Sequence, residues 1–389
     1  MDEESIIFTF FVIFAGSAML ATLALYARQT MLVAYILLGA LLGPGGFALV
    51  SDPSLVQSIA NIGIIFLLFL LGLNLYPQKL LGLFRQALPI TLISALLFGI
   101  LGFGMATAFG FGIMDALLIG ISCSFSSTIL GLKLLPTTVL HHRHAGEIII
   151  SILLLQDLLA IIVLLLLRAV EQGQLQLLAV WKLSVAFPLL IAIVYFGEKL
   201  LLQRLLLAFA RIQEYIFLLA IGWCLGIAEL ASFAGLSHEI GAFVAGVSLA
   251  NSPIARFIAE SLKPLRDFFL VMFFFALGAS FDFVVAKSII VPALLLAFVL
   301  LLVKPIVFHM LLRRAHETRQ FSWEIGFRLG QLSEFSLLLM FVAQSSGVLS
   351  SSAAYLLQLV TLISFIVSSY LVVLRYPTPI AVTEALRRE

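Results

Sequence analysis

Ser151-Ile-Leu-Leu-Leu-Gln156-Asp157-Leu-Leu-Ala160 sets an amide and a carboxylate side by side in the middle of an apolar run over residues 146–168. A run of that length is what a hydrocarbon core requires of a spanning helix. An acid at such depth is costly, and it marks an ion pathway, a proton relay or a buried pair. About ten apolar residues flank Asp157 on each side, so its short side chain does not reach the interface. Desolvation favours the neutral acid and a nearby cation favours the carboxylate, so protons and metal cations compete for one group.

The rest of the chain is built in the same way. Of its 389 residues 62% are hydrophobic and 11% charged, and its mean hydropathy is +1.19. Soluble domains run at about 45–50% apolar and about 25% charged, so lipid is the solvent here. A net charge of +2 argues for no nucleic-acid partner. Cys123 and Cys224 lie inside apolar runs and imply no disulfide framework. The acidic start Met1-Asp2-Glu3-Glu4 precedes a run too long for a signal core, which reads as a retained first span.

Apolar runs broken by charge, Gly, Pro or Ser give spans at 6–26, 31–50, 57–76, 87–109, 114–135, 146–168 and 178–198. Six more follow at 214–235, 238–252, 265–281, 288–312, 324–346 and 353–374. With thirteen spans, 17 of the 22 lysines and arginines fall on one side of the membrane and 3 on the other. The remaining two, Lys304 and Arg328, are inside spans. The positive-inside rule then puts the N-terminus outside and the C-terminus in the cytoplasm, as expected for a multi-pass protein of a bacterial inner (plasma) membrane.

An internal repeat underlies the spans. Ala34-Tyr-Ile-Leu-Leu-Gly39 resembles Ala242-Phe-Val-Ala-Gly246, and Phe66-Leu-Leu-Phe-Leu-Leu-Gly72 resembles Met272-Phe-Phe-Phe-Ala-Leu-Gly278. The offsets, 207 and 206, agree within one residue and map spans two to six onto spans nine to thirteen. A shift by an odd number of spans inverts the second copy in the bilayer. Inverted repeats of about 31–168 and 238–374 are the mark of a secondary transporter, with its site near the midplane on broken helices.

Polar residues mark those breaks. Ser122-Cys123-Ser124-Phe125-Ser126-Ser127-Thr128 puts five hydroxyls in seven residues of the fifth span. Such a cluster reads as a break whose carbonyls and hydroxyls can ligate a hard cation. At the equivalent place in the twelfth span stands Gly330-Gln331-Leu-Ser333-Glu334-Phe335-Ser336, with Arg328 six residues before Glu334. Lys304, followed by Pro305 in the eleventh span, reads as the partner of a buried acid. Glu229 and His309 sit away from the midplane and read as locally satisfied, and His141-His142-Arg143-His144 reads as a solvated loop. No phosphate-cradling glycine loop, nucleophile triad or zinc spacing is present in the sequence, which points away from an enzyme.

In order and spacing, Gly39-Ala-Leu-Leu-Gly43-Pro44, Leu68-Phe-Leu-Leu-Gly72, Ser126-Ser127-Thr128, Gln156-Asp157, Gly241-Ala-Phe-Val-Ala-Gly246, Phe273-Phe274 with Gly278, and Gly330-Gln331 with Glu334-Phe335 resemble the monovalent cation:proton antiporter family. The Gln-Asp pair is similar to its Kef-type potassium:proton branch, since the branch that exchanges sodium for two protons carries two adjacent aspartates there. The resemblance implies an all-α polytopic membrane protein of about 13 transmembrane helices, with two inverted five-helix repeats and two broken, crossing helices. It implies a homodimer, and a core of the fifth, sixth, eleventh and twelfth spans that moves by alternating access. It makes Asp157 the shared carboxylate, with Gln156, Ser126, Ser127 and Thr128 around the cation and Lys304, Gln331, Glu334 and Arg328 in support. No cofactor or resident metal is expected, because potassium or sodium and protons are the cargo.

Two departures stand out. Asn74 replaces the glutamate common after Gly72-Leu73, and the chain ends soon after the last span, where Kef systems continue into a cytoplasmic regulatory domain. A single transport domain over 1–389 is therefore expected, with any regulatory domain or subunit separate or missing and with lipid as the surrounding partner. Two other functions compete with antiport: a gated, channel-like potassium efflux pathway on the same fold, and a non-transporting sensor. Intact Asp157, Lys304 and the hydroxyl cluster weigh against the sensor, and proton coupling separates the other two.

Overall fold

A computed structural model describes residues 3–50, 54–74, 77–128, 144–171, 177–209, 212–252, 254–281 and 283–378. Helices form wherever the apolar runs are long, because a backbone in lipid must satisfy its own hydrogen bonds. The first seven are α1 (Glu3–Tyr26), α2 (Met31–Leu42), α3 (Ser54–Asn74), α4 (Pro77–Ala108), α5 (Ile113–Cys123), α6 (His144–Glu171) and α7 (Leu177–Gly197). α7 runs on through a π-helical turn, Glu198–Leu202, into Gln203–Ala208. Then come α8 (Gln213–Phe233), α9 (His238–Leu249), α10 (Ala255–Ala279), α11 (Phe283–Arg314), α12 (Arg319–Arg328), α13 (Glu334–Ser345) and α14 (Ser351–Arg375).

This order fits the thirteen expected spans, with α12 and α13 as the two halves of the twelfth. Among the described residues, seven helices, Ala87–Ala108 and Lys287–Arg314 among them, are long and apolar enough to cross a membrane. α2, α5, α9 and α13 are apolar but only 11 or 12 residues long. Helices paired by the repeat offset match closely in length: α2 and α9 have 12 residues each, and α4 and α11 have 32 each. Leu96 on α4 and Phe298 on α11 are 63% and 62% exposed. Such faces would be sticky in water and are the natural outer surface in lipid.

The chain divides into two compact units. The first comprises Met1–Ser51, Gly82–Ala160 and Leu277–Glu389. Its core joins α4, α6, α11 and α12 through Ile90, Phe98, Ile149, Ile152, Phe308, Leu312, Ile325 and Leu329. α14 packs on α11, α12 and α13. The end of α10 also meets α2 here, where a side chain on Gly278 would strike the Ile36 carbonyl.

The second unit comprises Asp52–Leu81 and Ile161–Ala276. α3 lies against α9 so closely that a Cβ on Gly246 would meet the carbonyl oxygen of Phe69. Phe69, Leu73, Cys224, Ala228, Ala242 and Ala245 belong to its core. Cys123 and Cys224, one in each unit, are buried free thiols. Glu229 and His238 pair at 3.5 Å, so Glu229 is satisfied locally.

Candidate functional site at two crossing helix breaks

The site lies wholly in the first unit, where two helices stop inside the protein. α5 ends at Cys123, and the chain leaves helical geometry through Phe125–Ser127. α12 ends at Arg328, and α13 begins at Glu334 after five residues. Each stop frees backbone groups that no intrahelical bond satisfies, and in lipid those groups need protein partners.

Gln156 on α6 serves the first break. Its Oε1 accepts from the Ser126 backbone N–H at 2.9 Å, and its Nε2 donates to the Ser124 carbonyl at 3.3 Å. One side-chain amide thus takes a donor and an acceptor of the interrupted backbone. The Ser126 hydroxyl donates across to the Leu329 carbonyl at 2.8 Å, and the Ser336 hydroxyl donates to the Ser122 carbonyl at 2.7 Å. The two breaks are stitched together in both directions.

Lys304 lies at the crossing. Its ammonium donates to the Phe125 carbonyl at 2.7 Å and to the Gln331 carbonyl at 2.9 Å, one acceptor from each break. The Phe98 ring lies 5.2 Å from Nζ, and the residue is fully buried. Sequence reasoning expects an acid beside this lysine; among the described residues its hydrogen-bond partners are carbonyl oxygens instead. The physical reason is that broken helices expose carbonyl lone pairs, and an ammonium with three N–H groups can cross-link them.

Asp157 is next to Gln156 on α6 and 2% exposed. The Thr128 hydroxyl reaches both of its oxygens, at 3.3 and 3.2 Å. Glu334 is the first residue of α13, where the second break ends. Ser127 is buried in the same break. Of the residues expected around the cation with Asp157, Thr128 has a hydrogen bond to it, while Gln156 and Ser126 hold backbone. Arg328 and Glu334 bracket the second break, but Arg328 pairs with Glu324, at 2.8 Å.

Behind the second break stands α14. The Ser364 hydroxyl accepts from the Leu332 N–H at 3.1 Å. The Ser368 hydroxyl donates to Gln331 Oε1 at 2.9 Å, and Gln331 Nε2 donates to the Arg328 carbonyl at 2.9 Å. Sequence reasoning passes over Ser364 and Ser368. Their signal was the recurrence of Thr361, Ser364 and Ser368 three and four apart, on one helix face. His309, in α11, stacks on Trp323 at 4.2 Å. The second half of the fifth span, the run from His141 to Arg143 and the Asn74 side chain lie outside the described residues.

Residues 10–373 match the family described as sodium/hydrogen exchanger, transmembrane. The chain belongs to that family. Among solved structures, the sodium proton antiporter MjNhaP1 of Methanocaldococcus jannaschii, determined at pH 8, matches this chain with a TM-score of 0.72. The two are 15% identical, and the match covers 94% of this chain and 96% of that one. At that identity the likeness is one of fold.

The K(+) efflux antiporter 4 of Arabidopsis thaliana is 28% identical to this exchanger-family chain over 356 residues, 89% of it and 60% of the plant protein. The glutathione-regulated potassium-efflux system protein KefC of Cronobacter sakazakii is 29% identical over 384 residues, 96% of this chain and 61% of its own length. The chain thus spans about three fifths of these two relatives, whose names agree with the Kef-type resemblance. The Iron transporter MagA of Paramagnetospirillum magneticum is 27% identical over 346 residues, 88% of this chain and 79% of its own length.

Proposed function

We propose that this protein exchanges a monovalent cation, potassium in preference to sodium, for protons, with Asp157 as the carboxylate that cation and proton occupy in turn. The observation that carries the reading is a buried acid, capped by the Thr128 hydroxyl, beside two broken helices cross-linked by Lys304. An ionised Asp157 with hydroxyl and carbonyl oxygens around it suits a hard alkali cation. Protonation removes the charge that holds the cation, so one species displaces the other. Gln156, Ser126, Lys304 and Gln331 act as the frame that keeps the breaks open, and Ser127 and Glu334 line it.

Alternating access follows if the crossing moves as one piece and shows Asp157 to each side in turn, in a homodimer with the N-terminus outside and the C-terminus cytoplasmic. With Asp157 as the one carboxylate that both ions occupy, the simplest exchange is one cation per proton, which moves no net charge. The preference for potassium rests on the Gln156-Asp157 pair and on the potassium-efflux names of the relatives. The paired lengths of α2 with α9 and of α4 with α11 support an inverted repeat over about 31–168 and 238–374. Any regulatory domain or subunit would act on this transport domain from the cytoplasm.

Proteoliposomes with an imposed pH gradient, an internal pH dye and a clamped membrane potential test the proposal. Adding potassium should collapse the gradient at zero potential, saturate with concentration and exceed the effect of sodium, and Asp157→Asn should abolish it. Cation current without proton movement would replace the antiporter with a channel. Full exchange in Asp157→Asn would overturn the role of that carboxylate.

A further inference from the structure

Directly after α14 the chain runs back over the end of α12. The Arg328 guanidinium is buried, its side chain 1% exposed. Its Nη2 donates to Glu324 Oε1 at 2.8 Å and to the Pro377 carbonyl at 2.8 Å, and its Nε donates to Glu324 at 3.1 Å. Tyr376 lies over the same guanidinium at 6.0 Å, and its ring is 5.9 Å from that of Phe327. An i,i+4 pair with Glu324 alone would need no such burial. The carbonyl of Pro377 accepts from the guanidinium and the ring of Tyr376 lies over it.

The connection continues inward. The Arg328 carbonyl accepts from Gln331 Nε2, the Gln331 carbonyl accepts from Lys304, and Lys304 also holds Phe125 of the first break. An unbroken path of hydrogen bonds and backbone links Pro377 to both breaks through three side chains.

We propose that residues 376–378 form a latch on the second helix break, engaged through Arg328, and that Arg328 is a positioning residue for the cation site at Asp157. The effect on transport rests on the function proposed above; the latch itself does not. A guanidinium suits the task because its planar fork can hold Glu324 and the Pro377 carbonyl together, which an ammonium does less well. With the latch released, Gln331 loses its fixed neighbour, and the carbonyl it offers Lys304 becomes mobile.

The experiment compares wild type, Arg328→Lys, Tyr376→Ala and Glu324→Gln as full chains. Backbone hydrogen exchange is read over 329–333 without added cation, and the potassium concentration for half-maximal exchange is read in proteoliposomes. A latch predicts about tenfold faster exchange over 329–333 in Arg328→Lys and a smaller increase in Tyr376→Ala. It predicts that half-maximal potassium rises several-fold in both, with the maximal rate kept. Glu324→Gln, which spares the Pro377 contact, should change either reading less.

Unchanged hydrogen exchange over 329–333 in both Arg328→Lys and Tyr376→Ala would overturn the latch. So would a loss of maximal rate at unchanged half-maximal potassium, which is what a merely structural role gives. Tyr376→Ala keeps the test open if Arg328→Lys does not fold. Proton exchange that survives Asp157→Asn would overturn the functional reading alone, since the hydrogen-exchange result stands without transport.

Discussion

The two helix breaks solve one problem with different chemistry. At the first, between α5 and Thr128, a single amide from α6 satisfies a donor and an acceptor of the interrupted backbone. At the second, between α12 and α13, the break supplies its own glutamine, and hydroxyls from α14 complete the set. At an offset of 207, Asp157 on α6 corresponds to Ser364 on α14. At 206, Lys304 on α11 corresponds to Phe98 on α4, whose ring lies against the lysine. One half contributes the acid and the other the base. The scaffold is shared, and the chemistry comes from where the halves differ.

The largest expected effect follows from that asymmetry. Asp157→Asn keeps the shape of the side chain and removes the charge, so coupled exchange should fall below detection in the dye assay while the protein stays folded by size exclusion. A variant that still transports would mean that the difference between α6 and α14 is structural and that the chemistry lies elsewhere.

Lys304→Met comes next and acts on stability. It leaves the Phe125 and Gln331 carbonyls without their shared donor in a buried place, where each unsatisfied group costs about 1–3 kcal/mol. The two together should lower stability by roughly 2–6 kcal/mol, read as a fall in thermal midpoint in detergent. A midpoint within a degree or two of wild type would show that the crossing holds without its cross-link. Loss of exchange at an unchanged midpoint would make Lys304 part of the ion chemistry rather than of the frame.

Much of this was legible in the sequence, and what was not has a physical reason. The spans follow from apolar length, and both breaks follow from hydroxyls and glycine set inside apolar runs, as at Ser122–Thr128 and Gly330–Ser336. Asp157 stands out because a carboxylate in lipid has few innocent explanations. The partners of Lys304 were hidden because they are backbone carbonyls, which every residue has and no letter records. Gln156 has a role hidden for the same reason: beside Asp157 it reads as a ligand, and its amide also holds the backbone of Ser124 and Ser126. Ser364 and Ser368 disappear among the many hydroxyls of α14, where others such as Thr361 and Ser369 bond within their own helix.

Gln156→Ala probes the first break alone. It removes two hydrogen bonds and leaves a buried N–H and a buried carbonyl without the amide they shared, for a loss of about 2–3 kcal/mol by denaturation in detergent. Half-maximal potassium should rise as well, because the Ser126–Thr128 segment that positions the hydroxyl on Asp157 loses its anchor. A change in stability with half-maximal potassium intact would separate the frame from the site.

Ser364→Ala is the smallest effect and the sharpest test of the comparison, because it alters the position that corresponds to Asp157. The hydroxyl accepts one bond, from the Leu332 N–H, and donates another to the Thr361 carbonyl within its own helix. Alanine is close in size, so no large cavity forms, and the loss should be about 1 kcal/mol, the net value of one buried hydrogen bond. The second break is also held by Ser368, Gln331 and Lys304, so exchange rate and half-maximal potassium should stay within about twofold of wild type, a shift worth under 0.5 kcal/mol. If Ser364→Ala instead abolishes exchange with the fold intact, the hydroxyl takes part in the ion's path and both halves carry chemistry. If it behaves as expected while Asp157→Asn is silent, the duplicated scaffold has specialised, with one copy binding the ion and the other holding the break in register.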